Sequence, residues 1–133
     1  MKLDELQTHD EVLAEQLKDA AFRAEWERTA LARAVATRLV AYRAAHRLSQ
    51  TQLARQLGLK QPAVARLERG EHTPTIDTLR LLSGALDMEF LLAIAPDRPG
   101  RRRPRWLTRY ITAADVFEEV SDGSGSRVLV AAS

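Results

Sequence analysis

"LSQTQLARQLGLKQPAVARLERG", residues 48–70, consists of two short amphipathic segments separated by Gly58. Ser49 is placed to cap a helix whose inward positions are Leu53, Ala54 and Leu57. Gly58 then supplies the positive φ that a tight turn needs. Pro62 falls in the first turn of the next helix, where its missing N–H costs nothing. Val64 and Leu67 face inward, and Gly70 closes that helix. Small Ala54 sits where two steeply crossing helices must approach closely. The turn is too short for antiparallel packing, so the spacing predicts a helix-turn-helix rather than an ordinary hairpin. The outer face of its second helix carries Lys60, Gln61, Pro62, Ala63, Ala65, Arg66 and Arg69, with Glu68 the one acid. A solvated face more often includes Glu or Asp. Gln fits the adenine edge and Arg the guanine edge, so this face suits double-stranded DNA.

Charge is distributed in blocks. Lys and Arg against Asp and Glu number 4 to 8 in residues 1–28, 8 to 2 in 29–74 and 1 to 4 in 75–97. Residues 98–110 carry 6 to 0 and residues 111–133 carry 1 to 4. The two basic blocks suit a polyanion, and they equally suit solvated faces. The 133 residues allow one compact domain with extensions. Lack of Cys excludes disulfides, thiol nucleophiles and Cys-ligated zinc. His9, His46 and His72 have no ligand spacing and read as surface or satisfied histidines. There is no Ser/His/Asp set, metal spacing or phosphate loop, so neither catalytic residues, metal nor cofactor is expected. No apolar run approaches the roughly 18–20 residues of a membrane span. The start, "MKLDELQTHDEV", is acidic and lacks the apolar core of a signal peptide. A soluble, cytoplasmic protein is expected.

Outward from the motif, the chain reads as mainly α. Thr8-His-Asp-Glu11 has the form of a capping box for a helix over about 9–18, with Val12, Leu13 and Leu17 as its apolar set. Asp19 can cap a second helix reaching His46 without Gly or Pro. On a helical wheel Leu31, Val35, Leu39 and Tyr42 share an arc of about 80°, and Phe22 and Trp26 lie nearly opposite. An unbroken helix leaves those aromatics for the first helix, a second copy or another protein. A kink near Thr29 returns them to the core. Helices follow at about 50–57, 61–69 and 75–86. "EFLLAIA", 89–95, has the pattern of a buried strand or of a helix end. "PDRPGRRRPR", 96–105, reads as an extended basic linker, either a minor-groove arm or a solvated tether. Beyond it "WLTRYI" suggests a strand, Thr112–Val120 a short helix, 121–126 a turn and "RVLVAA" a last strand. The organisation expected is a helical extension (1–28), a helix-turn-helix domain with trailing strand (29–95), the linker (96–105) and a C-terminal extension of open role (106–133).

"LSQTQLARQLGLKQPAVARLERGEHTPTIDTLRLLSGAL", 48–86, resembles the Cro and phage-repressor type (XRE-type) helix-turn-helix domain. The likeness rests on L-S-Q-x-x-L-A at Leu48–Ala54, L-G with Gln61, V-A-R-L-E-R-G at Val64–Gly70, "TPTIDTL" and "LSGAL". It spans roughly residues 31–95 and implies a five-helix repressor-like domain. By position it places Gln50 on a phosphate, bracing the recognition helix, and Gln61, Pro62 and Arg66 on bases. Arg55, Lys60 and Arg69 fall at phosphate or base contacts. Arg43 and Glu68 match a structural salt bridge, with a phosphate contact the other reading of Arg43. Pro62 departs from the polar residue of some phage repressors and leaves an apolar contact for a thymine methyl. Ser49, Thr51 and the free N–H groups beside them also suit phosphate. One such domain buries little surface, so a homodimer on a palindromic operator is expected.

The flanks, "LKDAAFRAEWERTALARAVATRLVAYRAAHRLSQ" (17–50) and "LDMEFLLAIAPD" (86–97), resemble those of HigA-type antitoxins. There an F-R-x-E-[aromatic] helix leads into the domain and a short strand follows it. The resemblance implies a repressor of its own operon that neutralises a RelE/HigB-like toxin. Phe22 and Trp26 are then candidates for a partner surface, toxin or second copy alike. In the 89–95 segment, Phe90 and Leu92 suit pairing with a copy, addition to a partner sheet or completion of the core. A free-standing regulator without a toxin is the alternative.

Overall fold

The computed structural model describes residues 8–121 and 125–133. The chain is mainly helical, with a three-stranded antiparallel sheet at its C-terminal end. Thr8 and Glu11 form the reciprocal capping box that opens α1 (His9–Gln16), and Asp19 accepts from the Phe22 N–H to open α2 (Ala20–Arg28). The long helical segment breaks at Thr29, so the kink and not the unbroken helix is what forms. Thr29 leaves the helical region (φ −97°, ψ 13°), and its hydroxyl donates to the Glu25 carbonyl at 3.0 Å. A hydroxyl returned to the preceding turn competes with the helix ladder and bends it there. Phe22 and Trp26 do not reach the main core. They stack on each other half-buried, with ring centroids 6.3 Å apart.

The helix α3 (Ala30–His46) supplies the wall on which the rest assembles, burying Leu31, Ala34, Val35 and Leu39. A capping box between Ser49 and Gln52 starts α4 (Gln50–Leu57), and Gly58 at φ 69° turns the chain. Pro62 lies in the first turn of α5 (Gln61–Arg69), which Gly70 closes at φ 66°. The hydroxyl of Thr75 caps α6 (Ile76–Leu86). Leu39, Leu53, Val64 and Leu82, each fully buried, meet where these four helices converge.

Three strands complete the fold: β1 (Phe90–Pro96), β2 (Val116–Ser121) and β3 (Ser126–Ala132), in the order β1-β3-β2. Leu92 and Glu118 both pair with Val130, fixing the register. Alternation along central β3 divides two clusters. Val128 and Val130 join the helical core, whereas Leu129 and Ala131 face α7 (Arg105–Ala113). Two local assignments are corrected. "WLTRYI" is helical because Leu107, Tyr110 and Ile111 recur at helical spacing and cover the sheet's second face. Residues 116–121 are a strand because they pair antiparallel with Ala132–Arg127 of β3, an arrangement in which Val116 and Val120 reach the helical core. The turn expected over 121–126 falls in part on residues outside the described ones.

Candidate nucleic-acid interface

Between α3, α4 and α5 runs a connected set of polar side chains. Arg43 donates through Nε to Glu68 Oε1 at 2.5 Å and through Nη2 to Oε2 at 3.0 Å. Its third donor, Nη1, holds the Leu48 carbonyl at 3.0 Å. Gln50 Nε2 donates to Glu68 Oε2 at 2.7 Å, and Gln61 Nε2 donates to Gln50 Oε1 at 2.8 Å. The direction of this chain has one chemical origin. An ionised carboxylate only accepts, so Glu68 turns the amide N–H of Gln50 toward itself. The Gln50 oxygen then points at Gln61. Gln61 is left with one N–H and its carbonyl oxygen, the donor–acceptor pair that the adenine edge requires.

Burial would raise the Glu68 carboxyl, but hydrogen bonds from Arg43 and Gln50 and the Arg43 charge outweigh it and hold it below the usual carboxylate range. The Glu68 side chain is only 6 % exposed, so the pair fastens α5 to α3. Gly70 adds a second fastening, since a Cβ there would stand 3.3 Å from Ala36 Cβ.

Around this bracket the structure brings together most of the residues singled out in sequence. Gln61, Pro62, Arg66 and Arg69 are exposed on α5, Lys60 precedes it, and Thr51 and Arg55 are exposed on α4. Lys60, Pro62, Arg66 and Arg69 line one side of a shallow cleft of about 830 Å³. Its other side, formed by His72, Thr73, Thr75 and Thr78, was not among the expected site residues. The Thr-Pro-Thr run that caps α6 was the available signal.

The expected partner residues are dispersed. Trp26 lies beneath Arg33, whose guanidinium stands 3.6 Å from the ring centroid and also donates to the Trp26 carbonyl and to Glu118. Phe90 is half-buried against the helical core, whereas Leu92 is 39 % and its neighbour Ile94 68 % exposed on edge strand β1.

A capped helix, a glycine turn and a second helix bearing a braced glutamine among exposed arginines define a helix-turn-helix of the kind that docks on DNA. Residues 39–91, from mid-α3 into β1, match the helix-turn-helix family model. That match supports a DNA-binding regulator of transcription, and the matched family is a regulatory, typically non-enzymatic domain. No curated protein and no solved structure matches the chain. Among the described residues no group of His, Asp or Glu could hold a metal ion, and no helix is long and apolar enough to cross a membrane.

Proposed function

We propose that the protein is a sequence-specific repressor that reads a palindromic operator as a homodimer. The hydrogen-bonded run Arg43–Glu68–Gln50–Gln61 carries this reading, because it orients an amide at the exposed start of α5 before any DNA arrives. In this reading Gln61, Pro62 and Arg66 meet bases, and Gln50, Thr51, Arg55, Lys60 and Arg69 meet phosphates. Leu92 and Ile94 on the open edge of β1 supply the dimer contact, two copies pairing across a two-fold axis. Selection of a binding site from randomised duplexes tests it. Gln61→Ala and Arg66→Ala should each cost about 1–3 kcal/mol at the selected site and relax base choice at one position. Lys60→Ala and Arg55→Ala should weaken all sequences alike and flatten the salt slope. Unchanged operator binding by the first pair overturns the docking assignment.

The antitoxin reading adds a toxin of RelE/HigB type as partner, and one feature of the fold favours it. The helices α1 and α2 bury no residue, yet with the turn between them they carry Val12, Leu13, Leu17, Phe22 and Trp26 on an acidic segment. Such a pair gains little from its own chain and suits a basic partner. Co-purification with the product of a neighbouring reading frame, lost on Phe22→Ser, is the expected result. Full repression with no such partner favours the free-standing regulator.

A further inference from the structure

The arginine-rich segment 98–109 is tied to the sheet at two points. Arg103 is ion-paired with Glu119 of β2, and α7 is seated on the sheet through buried Leu107. The nearby carboxylates are taken. Asp97 accepts from Ser121 and, at 2.7 Å, from Arg127, Glu119 is paired with Arg103 and Arg127, and Asp115 stands 3.8 Å from Arg38. Five exposed arginines, Arg98, Arg101, Arg102, Arg105 and Arg109, therefore have no carboxylate partner among the described residues. Residues 98–113 themselves contain no acid.

This surface lies away from α5. On α3, Arg43 reaches Glu68 of α5, and Arg38, about 140° around the helix from it, reaches Asp115 beside β2. The helix α7 covers the sheet face turned away from α3. A duplex seated on α5 reaches α7 of the same protomer only through a sharp bend, which a persistence length of about 150 base pairs makes costly.

The geometry points to a second DNA site, in which Arg98, Arg101, Arg102, Arg105 and Arg109 hold the phosphate backbone of a duplex other than the one read by α5. It rests on the DNA-binding reading above. The site acts by charge: α7 offers arginines and the hydroxyl of Thr108 on its outer side, donors suited to phosphate oxygens, whereas the Thr112 hydroxyl donates to the Thr108 carbonyl. The protein would thereby bridge two DNA segments, one held by sequence and one by charge.

The test measures binding of a random-sequence duplex to the whole protein. The variant Lys60→Glu/Arg66→Glu/Arg69→Glu should keep a salt-dependent affinity, about 500-fold weaker at 200 mM than at 50 mM salt if five phosphates are neutralised. Adding Arg102→Glu/Arg105→Glu/Arg109→Glu should abolish it. That second triple alone should leave affinity for the selected operator unchanged, and Arg-to-Gln versions repeat the test should charge reversal unfold α7. Loss of all duplex binding in the α5 variant, with wild type still binding, overturns this inference alone. A wild-type protein that binds no duplex overturns both readings. Weakened operator binding by the α7 triple would place both surfaces on one duplex and overturn the bridge. Tighter binding of single strands than of duplex would assign exposed Trp106 to base stacking and also overturn it.

Discussion

Glu68 links stability to base reading through one carboxylate. Its charge is held by Arg43 and Gln50 in a site almost closed to solvent. Because its folded pKa lies below the unfolded value, its contribution is fully present above the unfolded value and is lost as pH falls through the folded one. Urea unfolding should therefore show wild type losing more stability than Glu68→Gln between neutral pH and about pH 3, where carboxylates protonate. At neutral pH the substitution should cost about 1–3 kcal/mol, since Arg43 loses its counter-charge. It should also blur specificity. An amide at 68 can face Gln50 with either donor or acceptor, so nothing fixes the orientation of Gln50 and hence of Gln61. Measured over all four bases at the Gln61 position, discrimination should fall further than overall affinity. Equal falls would show that the polarity of the chain does not matter.

At the scale of elements, two glycines with the same backbone conformation should respond differently to substitution. Gly58 and Gly70 have φ of 69° and 66°, so alanine strains both. A Cβ at Gly58 meets nothing within 4 Å, whereas one at Gly70 presses on Ala36 Cβ, with Arg33 Cα at 3.5 Å. Gly58→Ala should cost about 1 kcal/mol and Gly70→Ala clearly more, read from denaturant midpoints. Equal costs would mean that α5 is not held closely against α3. These same punctuation residues made α4 and α5 legible in the sequence, because a cap, an N-terminal proline and a left-handed glycine act locally. The α7–β2 region was not legible for the opposite reason. Aromatic and β-branched residues in "WLTRYI" favour a strand on local propensity. The helix forms because Leu107, Tyr110 and Ile111 find a sheet face, which chain segments distant in sequence create. The brace of Gln50 on the recognition helix was legible only through the family resemblance, because the run Arg43–Glu68–Gln50–Gln61 draws its residues from three helices.

For the whole molecule, β3 joins the two clusters, and its alternation allows them to be uncoupled. The sequence marked "RVLVAA" as a strand, but not that it would be central, since pairing with residues 90–96 is a long-range event. Val130 is fully buried in the helical core, and Leu129, 4 % exposed, is buried under α7. Leu129→Ala should cost about 2–5 kcal/mol in local terms, and the element that loses its seat is α7. Hydrogen exchange should then quicken across residues 105–113 while the amides of α4 and α5 stay protected. Val130→Ala removes volume from the core that the helices share, so protection should fall across α3 and the helix-turn-helix together. The two substitutions also separate the two surfaces. Leu129→Ala should leave operator affinity intact while weakening capture of a second duplex, because the arginines of α7 lose their fixed spacing. Val130→Ala should shift the thermal midpoint of the domain that reads the operator. If both variants lose protection uniformly along the chain, the sheet and helices unfold as one cooperative unit and α7 is not a separable element.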